Sequence, residues 1–278
     1  MQKNKLKEYG AYAAKGFAIG SAMTVPGVSG GTVAIILDIY DKMVFSVASI
    51  FKDFKKNFFF LFTVGLAMLL GMISLSKLIL LLSNIAPVPV RFFFIGAIVG
   101  SIPMLFRKTE LKKVNPVSVI FCLLGVVCVF ALDLIPSGLL DLSGSFSLAQ
   151  IPAFLIGGVA LAVSLILPGI SFSHMLLVFG LYERFYEALT SFDIVFLICL
   201  GIPIAIGILA FIKLLEFVLT KYPAQSYSAI LGFVIASIKD IYIGFPSGIG
   251  MIIGTVLAFI AGGALVLAVT CGKLTDQD

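Results

Sequence analysis

Apolar residues run through this chain in blocks long enough to cross a bilayer, with polar residues confined to the gaps between them. A spanning helix needs about 20 apolar residues. Full-length blocks fall at 58–83, 117–135, 194–219 and 246–270, and shorter ones at 90–106 and 226–242. Two further regions, 10–50 and 150–190, are equally apolar, but Pro-Gly breaks each near its middle. The breaks are VPGVSGGT at 25–32 and LPGISFSH at 167–174. The pieces on either side form re-entrant hairpins of half-helices or pairs of short spans. Pro removes a backbone donor and Gly permits a sharp turn. Inside lipid such a backbone survives only where it is buried in protein or lines a polar cavity. The pattern predicts an all-α polytopic membrane protein, with residues 1–278 forming one transmembrane domain.

Composition strengthens this reading. The 278 residues are 60% hydrophobic and 12% charged, with a mean hydropathy of +1.17, whereas an ordinary globular domain is about 25% charged. That excludes a water-soluble enzyme, a disordered chain and a nucleic-acid partner. The net charge of +5 sits in loops. Lys3, Lys5 and Lys7 begin the chain, Lys52, Lys55 and Lys56 follow the first broken region, and Arg107, Lys108, Lys112 and Lys113 follow the 90–106 block. Lys221 and Lys273 flank later blocks. Loops 84–89, 136–149 and 189–193 carry no basic residue, and Lys239 is the exception to the pattern. If 10–50 enters and leaves on one side, the Lys-rich loops share that side. The positive-inside rule makes it cytoplasmic and places both termini there. The basic N-terminus lacks an apolar stretch followed by a small-residue cleavage site and is read as retained. Four cysteines in or beside apolar runs read as small hydrophobes. One histidine leaves no metal site, and no cofactor is expected.

The two halves, 1–140 and 141–278, resemble each other. At an offset of 142, Pro26-Gly27-Val28-Ser29 aligns with Pro168-Gly169-Ile170-Ser171, and Tyr40-Asp41-Lys42 with Tyr182-Glu183-Arg184. At 136, Gly65, Gly71, Lys77, Pro87 and Gly96 align with Gly201, Gly207, Lys213, Pro223 and Gly232. Pro116 matches Pro246 at 130. The preserved order makes chance a poor explanation. Each half holds one broken hairpin and three spans, so the second half runs upside down. Inverted repeats are the plan of many secondary transporters, with the substrate site near the midplane where interrupted segments meet.

In both broken segments a helix restarts just after Pro-Gly. Its first N–H groups lack intrahelical partners and the dipole is positive there. Ser29, Thr32, Ser171 and Ser173 add hydroxyls, and Gly30 and Gly31 permit close approach. Two such N-termini face to face would cradle a phosphate. The competing reading is that Pro and Gly only kink helices while small residues allow close packing. His174 aligns with Thr32, and could contact phosphate, carry a proton or simply fill the interior. Lys77 and Lys213 lie within spans, about six residues from an end, within snorkelling reach of headgroups. Asp38 is an intramembrane carboxylate and a candidate for coupling-ion binding, with Asp41, Glu183 and Glu187. Arg91 and Arg184, near the outer face, would attract an anionic headgroup or anchor the interface. No catalytic constellation is visible.

These motifs resemble those of the PopT-type polyprenyl-phosphate transporters of bacteria and archaea. The first is Pro26-Gly27-Val28-Ser29-Gly30-Gly31-Thr32, followed by Asp38-Ile39-Tyr40-Asp41. The second is Pro168-Gly169-Ile170-Ser171-Phe172-Ser173-His174, followed by Gly180-Leu181-Tyr182-Glu183. The departures are Asp38 and Phe172 where that family has Gly, and His174 beyond the second motif. The resemblance implies return of undecaprenyl phosphate from the outer to the cytoplasmic leaflet of a bacterial or archaeal plasma membrane. Proton or sodium coupling would offset the cost of moving an anion inward. A transporter of a small soluble anion, a membrane enzyme acting on a lipid pyrophosphate and a non-transporting scaffold are the competing readings. The oligomeric state stays open.

Overall fold

The computed structural model describes residues 2–25, 27–111, 113–136, 138 and 151–271. Pro26, Lys112, Lys273, most of loop 136–149 and the 140/141 boundary between the halves lie outside the described residues. Helices α1 (Gln2–Ala22), α2 (Gly30–Ile36) and α3 (Tyr40–Ala48) form the first broken region, and α4 (Phe54–Ile85), α5 (Pro87–Lys108) and α6 (Pro116–Asp133) follow. The second half gives α7 (Ile151–Ile166), α8 (Phe172–Val178), α9 (Tyr182–Ser191), α10 (Ile194–Lys221), α11 (Pro223–Ala236), α12 (Ile238–Ile241) and α13 (Ile249–Cys271). Among the described residues there is no strand.

The helix starts follow from local chemistry. Pro stands in the first turn of α5, α6 and α11, where its missing N–H costs nothing. Asn115 and Ser118 close a capping box on α6. Asp193 accepts from the Phe196 N–H at 3.1 Å to cap α10. Five helices, α4, α5, α6, α10 and α13, contain stretches long and apolar enough to cross a membrane. The sixth expected span, 226–242, falls on two consecutive helices. Helix α11 has 14 residues, about 21 Å, and α12 follows it directly through Ser237, at φ −64° and ψ −14°. The Ser237 hydroxyl donates to Val234 O, and α12 carries the polar pair Lys239-Asp240.

The first broken region turns back on itself. Lys15 Nζ donates to Asp38 O, and further along Lys42 pairs with Glu8. As the chain advances from 38 to 42 its partners on α1 retreat, so the returning segment is antiparallel to α1. Helix α4 then runs parallel to α1, with Tyr12 against Phe60, Gly16 against Val64 and Gly20 against Met68. In the second half α10 runs parallel to α7, with Phe154 on Phe196 and Gly158 on Pro203. Helices α5 and α11 are antiparallel: Arg91 at the start of α5 reaches Ile241 O beyond the end of α11, and Lys108 at the end of α5 lies over the Tyr227 ring near the start of α11.

Several backbone features recur at the offsets seen in the sequence. Gly27 and Gly169 have φ of 87° and 81°. Ser29 and Ser171 cap α2 and α8 with ψ of 134° and 123°. Asp38 and Gly180 both sit in the left-handed region, at φ 50° and 67°. Ala86 and Tyr222 make the α4–α5 and α10–α11 corners with φ/ψ of −138°/63° and −131°/58°. Gly71 meets Phe17 O, and its mate Gly207 meets Val159, the residue 142 beyond Phe17.

Glycine sets the helix spacing. A Cβ on Gly71 would lie 2.1 Å from Phe17 O, whereas one on Gly65 of the same helix would meet nothing within 4 Å. We expect Gly71→Val to destabilise the fold by at least ~1–3 kcal/mol through overpacking. Gly65→Ala should leave stability unchanged or improve it by ~0.5–1 kcal/mol. Thermal unfolding in detergent, followed by size-exclusion fluorescence, separates the two.

Candidate functional site

The two breaks meet inside the bundle. A Cβ built on Gly31 would lie 3.1 Å from Pro168 Cα, so the first motif lies directly against the second. Thr32 is buried, and its Oγ1 accepts the Gly169 N–H at 3.1 Å. Tyr40, also buried, donates its phenol hydroxyl to Ile166 O at 3.0 Å, just before the second break. These bonds satisfy backbone groups that an interrupted helix leaves open in an apolar interior.

Glycine permits this approach. Gly27, at φ 87°, lies against the α12 backbone, where a Cβ would fall 2.2 Å from Asp240 O. Gly169, at φ 81°, meets Phe233 O of α11 in the same way, also at 2.2 Å. Gly27 and Gly169 are thus both seated on the α11–α12 strut.

The expected cradle residues divide. Ser29 is half-buried, caps α2 and makes no side-chain capping bond. Ser171 spends its oxygen on the His174 N–H at 3.4 Å. Gly30 faces the flexible thioether of Met23. Ser173 lies in α8, but its side chain is outside the described residues. Phe172 stacks edge-on against Phe185, which closes the second motif more than the first.

The charged candidates gather at two levels along α5. On one, Lys108 pairs with Asp38 at 2.8 Å and Asp41 at 2.5 Å. On the other, His174 Nε2 lies 3.5 Å from Asp133 Oδ1, and Lys239 pairs with Asp133 and, at 3.5 Å, with Asp240. Arg91 donates to Ile241 O beside this second group. The α5 helix links the levels: Arg91 and Lys108 are separated by 17 residues, about 25 Å.

Other candidates are not brought to the breaks. Lys77 and Lys213 are exposed on α4 and α10, where snorkelling accounts for them. Arg184 pairs with Asp193 and Glu187 and covers the Phe196 ring. The Phe196 N–H, then Arg184, holds the Asp193 carboxyl below the usual carboxylate range, which locks the α10 start. Glu183 is exposed. Sequence reasoning missed Lys108, Asp133, Lys239, Asp240 and Tyr227 as site neighbours. The one available signal was Lys239, a lone base on an otherwise base-free side.

The Thr32–Gly169 bond gives a direct test. Thr32→Val leaves a buried N–H without its acceptor and should cost ~1–3 kcal/mol. Thr32→Ser restores the acceptor and should recover most of the loss, read as thermal stability of the purified protein.

A family profile described as undecaprenyl phosphate translocase-like matches residues 19–247. A polyprenyl-phosphate transporter of Staphylococcus aureus is 33% identical over 276 residues, covering 95% of this chain and 96% of the relative. A polyprenyl-phosphate transporter of Vibrio cholerae is 29% identical over 242 residues, covering 82% and 76%. No solved structure matches. These are names of transporters, and the protein is a multi-pass membrane transporter rather than an enzyme. By the extent of the profile match and the near full-length likeness to the Staphylococcus aureus protein, the chain belongs to the undecaprenyl phosphate translocase-like family.

Proposed function

We propose that this protein is a polyprenyl-phosphate flippase, returning undecaprenyl phosphate from the outer to the cytoplasmic leaflet. The observation that carries the reading is the meeting of the two broken segments, Gly31 on Pro168 and Thr32 on Gly169, in the interior of the bundle. Polar backbone in that position is costly unless it has a use. The family relatives named for polyprenyl-phosphate transport supply the substrate class.

The phosphate sits at the breaks, beside Ser29, Gly30 and the turn before α2, with Ser171 opposite. In this reading Thr32 fastens one motif to the other, so it is a positioning residue. The two halves form an inverted repeat, and one rocks against the other. The antiparallel α5 and α11, the matched corners at Ala86 and Tyr222 and the matched left-handed positions at Asp38 and Gly180 support that plan. Both hairpins are re-entrant, and both termini lie in the cytoplasm with the Lys-rich loops. The two ion clusters then stand toward opposite leaflets. Lys108 faces inward, and Lys239 and Arg91 face outward, where each can exchange a carboxylate or carbonyl partner for the arriving phosphate. Inward movement of an anion against an inside-negative potential costs about 2.3 kcal/mol per charge per 100 mV. A proton or sodium ion moving with the lipid offsets it, with Asp38, Asp41 and His174 as its candidate carriers.

The test is leaflet exchange of labelled undecaprenyl phosphate in liposomes carrying the purified protein. Exchange should depend on protein, and an imposed inward proton or sodium gradient should accelerate it. Ser29→Ala with Ser171→Ala should slow exchange about tenfold or more, the worth of a hydrogen bond to a charged group, while the protein stays folded. Uptake of inorganic phosphate without lipid exchange would replace the flippase with a soluble-anion carrier.

A further inference from the structure

An apolar cavity of about 330 Å³ lies beside the first break, between α1, α2, α4, α5 and α13. Its walls include Phe17, Ser21, Ile36, Leu75, Phe94 and Leu265. The last turns of α1, with Val33, directly after Thr32, and Ile36 and Leu37, form one side. Ser21 is the only polar residue in the lining, and its hydroxyl already donates to Phe17 O at 2.8 Å. No lining side chain is left to bind a hydrated or charged ligand. The cavity opens toward the outer surface of the bundle, where Ala18 and Leu265 are exposed, a surface that the lipid acyl chains cover.

We propose that this cavity holds the isoprene units nearest the phosphate of a polyprenyl phosphate while the headgroup occupies the break. The inference rests on the flippase reading and adds what holds the tail. A polyprenyl phosphate is an anion joined to a branched, unsaturated hydrocarbon. Val33 of the lining directly follows Thr32 of the motif, which gives the two parts adjacent places: the break takes the head, and Val33, Ile36 and Leu37 line the place of the tail. The size suits a small-ligand pocket and admits a few isoprene units, leaving the rest of the chain in the bilayer. A lining apolar but for Ser21, whose hydroxyl is already bonded, selects hydrocarbon by contact and excludes a free anion. A second apolar cavity, of about 510 Å³ and lined by Phe92, Phe245 and Phe259, has no lining residue from α2 and serves as the internal control.

The experiment uses the full chain in liposomes with an undecaprenyl phosphate analogue carrying a photoreactive diazirine on its first isoprene units. Peptide mass spectrometry should find the label on Ala18, Leu37, Leu75 or Leu265, and excess unlabelled undecaprenyl phosphate should suppress it. Ala18→Phe and Leu265→Trp fill the mouth from exposed positions and should slow leaflet exchange about tenfold, equivalent to losing contact with about two methylene groups. Leu123→Phe, on the exposed face of α6, should exchange as wild type. Label concentrated on Phe92, Phe245 or the α6 surface, with both mouth variants exchanging normally, would overturn the tail site and leave the flippase standing. Absence of exchange by the wild-type protein would sink the flippase reading and the tail site with it. Photolabelling of the wild type needs no substitution, so a variant that fails to fold does not decide the result.

Discussion

A main-chain amide in an apolar interior must find an acceptor, and the centre of this protein is organised around one that does. The Gly169 N–H reaches Thr32 Oγ1 across the boundary between the two halves. That bond requires the backbones to come within touching distance, which Gly31 permits, and it requires turns that only Gly makes cheaply, at Gly27 and Gly169. Those turns in turn need a rigid seat, which α11 and α12 provide through the carbonyls of Phe233 and Asp240. Small residues along α1–α4, α5–α13, α6–α11 and α7–α10 extend the same principle outward. In lipid, where apolar faces gain little from meeting each other, close backbone approach supplies the attraction.

Charge is handled differently at the two levels. The Lys108 cluster takes both carboxylates from the segment following α2, so the first hairpin and α5 are tied directly. The Lys239 cluster takes them from α6 and α12, and the second hairpin contributes only His174. Matched positions share backbone dihedrals without sharing their electrostatics. Asp38 shows how this arises. Its position is left-handed in both halves, Gly180 fills it in the second, and Asp is among the few residues that tolerate it. A side chain tolerated there supplies one of the partners of Lys108.

Most helices were legible in the sequence because a bilayer imposes a simple rule of length and apolarity. The α4, α5, α6, α10 and α13 spans stand within a few residues of the apolar blocks. The 226–242 block falls on α11 and α12, and hydropathy does not register the division between them at Ser237. Gly27 and Gly169, matched in the sequence, share a left-handed backbone, because backbone conformation and close contact constrain Gly by shape, whatever surrounds it. The meeting of the two motifs was readable as a tendency, but the role of Thr32 was not. A hydroxyl near a break reads as a ligand donor, and only the fold reveals that it is spent on Gly169. Lys108 and Asp133 escaped for a different reason. Their partners lie 67 and 106 residues away, and no local pattern marks which loop charge is folded inward.

Helix α4 has 32 residues, about 48 Å of length, and the bilayer interior accounts for about 30 Å of it. Such hydrophobic mismatch is relieved by tilting, by protrusion or by deforming the surrounding membrane. Ile79 of the same helix forms part of the wall of the apolar cavity beside the first break. Lipids next to that wall therefore meet a helix longer than the hydrocarbon they span. The thickness of the host membrane, and not only its chemical composition, becomes a variable that acts on this flank of the molecule.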